Sequence, residues 1–167
     1  LRGASEKDSS FIKAAYWTGK LYIDMGHKEH AAHVYKAILK IPAEEGIPGD
    51  ILFDIASFLD VVMDDPEAAL LAYERLIAAA SENPHSAMVR ASTLYDGLGK
   101  YVEAYNLLDR LYHGRPKKRR QQDAFRVYPP RLYQAYHKLL DRGQEGLVKK
   151  PFETNILDPE DPVFSRD

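Results

Sequence analysis

The chain contains no cysteine. That excludes disulfide frameworks, thiolate metal sites and cysteine nucleophiles, and it leaves the redox compartment open. No sign of charge is in excess either. Its 23 basic and 25 acidic residues leave a net charge of −2, so no global field draws the chain to nucleic acid or to an anionic membrane. No apolar run approaches the roughly 18 residues of a membrane-spanning helix. The opening Leu1-Arg2-Gly3 is no signal peptide, and without an initiator Met the chain reads as an excised piece of something longer. The local patterns that carry catalysis are missing too: there is no G-x-S-x-G elbow, no phosphate-binding P-loop and no H-E-x-x-H metal helix. Asp64-Asp65 and the pair Asp158 and Asp161 fall in turns or in the tail, where acids cap helices or stay solvated. No catalytic residue, cofactor or metal site is assigned.

What is present is periodic. Apolar residues make up 45% and charged residues 29% of 167 positions, enough for a packed core. From His85 to Pro116, small residues (Ala91, Ser92) sit one turn before Tyr95, and a Gly97-Leu98-Gly99 turn follows. Tyr101, Ala104, Leu108 and Leu111 then recur at helical spacing, with Pro116 as a stop. The start of the chain repeats this. Gly19 matches Ser92, Tyr22 matches Tyr95, Ala31 matches Ala104 and Tyr35 matches Leu108, with Gly26 at the break. Small residues at facing positions let two helices approach closely. Trp17 reads as packing between helices, and Ser9 or Ser10 as the cap of the first helix.

A middle copy has Leu52, Ile55, Ala56 and Leu59 on one helix and Ala69, Tyr73 and Leu76 on the next. Its turn, from Met63 to Glu67, is one residue longer, and Asp65-Pro66 is a strong helix start. Residues 51–62 are apolar nearly all round, which predicts a central helix covered on both sides. Ala31, Ala69 and Ala104 are spaced by 38 and 35 residues.

This spacing and these residue types resemble the tetratricopeptide repeat, whose pattern of small, aromatic and proline positions spans about 34 residues. The resemblance covers residues 10–116. It implies an all-α fold, a right-handed α-solenoid of about three helix-turn-helix repeats at 10–43, 48–81 and 84–116. Residues 1–9 are expected to be a flexible segment and 129–142 a C-terminal capping helix, offset by about ten residues from the period. Residues 143–167 are expected to form an extended tail that wraps back on the stack or links to a neighbour.

The resemblance also implies a non-catalytic protein-protein interaction module, a scaffold or adaptor that binds a partner peptide or helix in a concave groove lined by the first helix of each pair. On that pattern the groove residues are Lys13, Tyr16, Lys20 and Ile23, then Asp50, Phe53, Ser57 and Asp60, then Ser86, Val89, Thr93 and Asp96, with Tyr133 and His137 from the cap. One subclass of the family clamps a peptide carboxylate with lysines, asparagines and an arginine. Here Tyr16, Lys20, Asp54 and Ser86 depart from that set and only Arg90 fits, so the carboxylate clamp is not expected.

Arg115, Lys117, Lys118, Arg119 and Arg120 form a basic block. It is a weak candidate for anion or polyanion binding, since no interleaved aromatics or glycine cradle support nucleic-acid reading. His27, His30 and His33 recur every third residue but lack further ligands, so they read as surface histidines. A protein or peptide is thus the expected partner. Self-assembly is an alternative, by end-to-end stacking of repeats through the uncovered helix from Phe11 to Met25. The compartment is open.

Overall fold

Gly26, Asp64, Gly99 and Gly143 each stand where a helix reverses, and the structure, a computed structural model, uses all four. It describes residues 2–43, 46–80, 84–113 and 128–149. The helices are α1 (Arg2–Asp24), α2 (Lys28–Ile38), α3 (Gly49–Ser57), α4 (Pro66–Ala79), α5 (His85–Gly97), α6 (Tyr101–His113) and α7 (Tyr128–Leu140). A π-helical turn, Phe58–Val62, extends α3, and a 3₁₀ turn, Glu145–Leu147, follows α7. Among the described residues every regular element is helical, and neighbouring helices pack in pairs, α1 on α2 and α3 on α4. Among the described residues no helix is long and apolar enough to cross a membrane.

The chain divides into two compact units, Leu1–Ala87 and Met88–Asp167. The reversals share one backbone geometry. Gly26, Gly99 and Gly143 all have left-handed φ, at 79°, 75° and 64°. In each case the next amide reaches back five residues, His27 to the Tyr22 carbonyl (2.8 Å), Lys100 to Tyr95 (2.8 Å) and Gln144 to Leu139 (2.9 Å). This closes the orphan carbonyls of the helix end. The same closure after α3 uses Asp64 (φ 52°), with the Asp65 amide 2.9 Å from the Leu59 carbonyl, six residues back. The extra residue of the second copy therefore lies inside the helix, absorbed by the wider π turn, and not in the connection where the sequence placed it.

In Leu1–Ala87, Ala31 and Ala69 are fully buried, as the close approach of paired helices requires. Tyr35, Ile38, Leu52, Ile55, Leu59 and Tyr73 fill the space around them. A Cβ on Gly19 would stand 2.2 Å from Tyr35 Cε1, so only glycine lets the tyrosine ring lie against α1. Asp65 caps α4, accepting from the Ala68 amide (3.1 Å), with Pro66 in the first turn. Arg75 donates to the Leu39 carbonyl (2.9 Å) just past the end of α2. In Met88–Asp167, Ala91 and Ala104 are buried, and Tyr105, Leu108, Leu132, Ala135, Tyr136 and Leu139 form a core between α6 and α7. Val148 packs on that core, and the Tyr105 hydroxyl donates to the Lys149 carbonyl at 2.5 Å. The first residues after α7 thus fold back on α6.

Several local expectations are corrected. α1 begins at Arg2, ahead of the Ser9-Ser10 cap. Trp17 is 62% exposed and does not pack between helices, and Thr18 is exposed although Ala15, Gly19 and Tyr22 beside it turn inward. The helix through residues 51–62 is not covered on both sides, since Val61 is 71% exposed. Asn83, Pro116, the basic block Arg115 to Arg120 and the tail beyond Lys149 lie outside the described residues.

Candidate functional site

The residues predicted for the groove occupy equivalent turns of successive first helices, so the structure can be read seam by seam. In the first unit the seam between α1 and α3 is held by one carboxylate. Asp54 on α3 accepts from the Tyr16 hydroxyl (2.5 Å) and from Lys20 Nζ (3.3 Å), both on α1. The Lys20 ammonium stands 5.6 Å from the Tyr16 ring centroid, and that ring stacks on Tyr35 at 6.1 Å. The Tyr16 hydroxyl is held above the usual phenol range, first by partial burial and then by its bond to Asp54. For Lys20, partial burial works against the charge, but bonds to Asp54 and Tyr16 outweigh it and raise the pKa. Both groups keep their protons through the neutral range. The result is a fixed, surface-accessible array of hydroxyl, ammonium and carboxylate.

Around this array, Lys13 is exposed and Ile23 half-buried on α1. Phe53, 37% exposed, leans edge-on against Tyr73 of its own pair at 6.2 Å. Asp50 is exposed, while Ser57 and Asp60 are half-buried on the same helix and its π extension.

In the second unit a cleft of about 220 Å³ opens among α5, α6 and α7. Its apolar lining is Ala104, Leu108 and Ala135, and its polar rim includes Ser92, Thr93, Asp96, Arg131, Gln134 and Lys138. Lys138 Nζ bonds both oxygens of Asp96 (2.5 and 2.7 Å), an ion pair across the cleft from α7 to α5. Behind it, the Arg142 guanidinium lies 3.9 Å from the Tyr101 ring centroid and donates to its hydroxyl at 2.9 Å. Thr93 and Asp96, predicted for the groove, line this cleft. Val89 stands half-buried, and its carbonyl accepts from Ser92 and Thr93. Ser86 and Arg90 are exposed on α5. Tyr133 and His137 are not among the cleft residues; they are exposed and pack on one another with ring centroids 5.5 Å apart.

Sequence reasoning named Asp54 only as a misfit in a carboxylate clamp and missed it as the centre of the α1–α3 seam. It also missed Arg131, Gln134 and Lys138. Their signal was present as the turn of α7 beside Tyr133 and His137. The exposed His27 and His30 pack against one another and against the half-buried Tyr22, with His30 and Tyr22 stacked at 5.3 Å.

No family model and no curated protein matches the chain. Solved structures do. A crystal structure of the MamA protein aligns with TM-score 0.53 and 18% identity, covering 85% of this chain and 69% of that one. A second crystal structure of MamA gives TM-score 0.50 and 18% identity over 87% of this chain and 76% of that chain. At this identity the likeness is one of fold alone, helices packed in neighbouring pairs.

Proposed function

We propose that this chain is a non-catalytic interaction module in which the exposed walls of the first helices hold a peptide or helix of a partner protein, as a scaffold or adaptor in a larger assembly. The observation that carries this reading is the Tyr16–Asp54–Lys20 array, which fixes polar side chains of two successive first helices on an accessible surface beside the exposed ring of Phe53. Side chains already ordered before binding lose little further entropy when a partner arrives, so such a wall grips at small cost. Aromatic and apolar groups next to fixed hydrogen-bonding groups supply both contact area and register. The tetratricopeptide-like fold shared with MamA agrees with a protein-binding role.

The test is affinity capture with the parent chain and with a Tyr16→Ala/Phe53→Ala variant of matched helicity, followed by identification of what is retained. The expected outcome is a partner captured by the parent and lost from the variant, with Lys20→Glu reducing it as well. Equal recovery by parent and double variant removes the α1–α3 wall from consideration.

A further inference from the structure

The cleft among α5, α6 and α7 offers a ligand three kinds of group, and each is already committed in a way that narrows what can enter. Asp96, Arg131 and Lys138 carry its charge. Asp96 is the only acid among the lining residues, and both its oxygens are taken by Lys138. The Arg131 guanidinium is therefore left without a carboxylate on the lining. Gln134, its i+3 neighbour on α7, is exposed like it and adds a neutral amide beside the charge. On α5, the Ser92 and Thr93 hydroxyls both donate to the Val89 carbonyl, at 2.8 and 3.0 Å. Their protons are spent within their own helix, so toward the cleft these oxygens can only accept. Ala104, Leu108 and Ala135, all buried, make the apolar part.

We propose that this cleft is a binding site for one glutamate residue of a peptide. The carboxylate meets Arg131 and Gln134, the methylenes lie on the apolar part, and a peptide N–H is accepted by Thr93. The free guanidinium asks for a planar anion that can take two parallel N–H bonds, which a carboxylate does. The hydroxyl oxygens ask for a donor in the same ligand, and inorganic phosphate presents chiefly acceptors. A free amino acid would bring its donor as an ammonium, which needs a carboxylate, and Asp96 is already spent. A peptide amide is neutral and needs none. Size agrees: about 220 Å³ is below the roughly 300–1,000 Å³ of sites for drug-sized ligands and suits a single residue. Every residue used here lies in Met88–Asp167, so the site stands or falls independently of the α1–α3 wall.

Titration of the isotope-labelled full chain with N-acetylglutamate methylamide, followed by NMR at constant ionic strength, tests this. Shifts of the Thr93 amide, the Gln134 side-chain amide and the Arg131 Nε–H should saturate, with a dissociation constant of about 1 mM for so small a probe. The glutamine analogue lacks the charge and butyrate lacks the N–H groups, and each should bind at least about threefold more weakly. Arg131→Gln should bring the glutamate probe down to the level of the glutamine analogue. Thr93→Val should weaken the glutamate probe and leave butyrate unchanged. Both side chains are exposed, and unaltered amide shifts in α6 check that each variant is folded. Shifts that never saturate, a glutamine analogue or butyrate as tight as the glutamate probe, or indifference to Arg131→Gln would each overturn the proposal. Tighter binding of inorganic phosphate or of free glutamate would overturn it as well.

Discussion

Gly19 shows how much one missing side chain decides. In a helix interior, alanine ordinarily stabilises by about 0.5–1 kcal/mol relative to glycine. Here the added methyl would stand 2.2 Å from a ring atom of Tyr35, which is itself only 1% exposed and has little room to withdraw. Overpacking in such a site costs about 1–3 kcal/mol, so the clash outweighs the propensity gain. Gly19→Ala should therefore lower the urea midpoint. A midpoint raised by the substitution would mean that the ring yields freely.

At the scale of the element, α4 depends on its cap. Asp65 accepts from the Ala68 amide and pairs with Lys36 on α2 at 2.5 Å, and these two contacts, Lys36 first, hold its carboxyl below the ordinary range. Because the folded pKa is depressed, the stabilisation is fully present above the unfolded value of about 4 and is lost as pH falls through the folded value. Asp65→Ala should cost about 1 kcal/mol at neutral pH. Asp65→Asn keeps the cap and should flatten the acid limb of the stability curve, read by thermal melts on either side of pH 4. Asp65-Pro66 was legible in the sequence because its chemistry is local. The buried alanines Ala31, Ala69 and Ala104 were legible because they recur. The π turn was not, since a one-residue excess fits a helix or a connection equally well until hydrogen bonds are seen. Nor was the role of Asp54, whose partners Tyr16 and Lys20 lie 38 and 34 residues away. The cleft around Lys138 escaped for a related reason: residues 114–127 separate the helices that form it, so no fixed offset linked α7 to α5.

For the molecule as a whole, each unit carries its own set of fully buried side chains: Tyr35, Leu52, Ile55, Leu59 and Tyr73 in one, Tyr105, Leu132 and Leu139 in the other. Leu139 is fully buried where α6 meets α7, and its carbonyl also closes the turn at Gly143. Leu139→Ala should remove about 2–5 kcal/mol of unfolding free energy, read as lost amide protection in α6 and α7 by hydrogen exchange. Retained protection there would show that the second core tolerates a void. The recurring reversal at residues 26, 64, 99 and 143 has a practical corollary. Since the backbone leaves every first helix by a common route, a segment such as 28–65 could be spliced out, doubled or exchanged for its neighbour, and each new junction would meet a stub of the shape it was cut from.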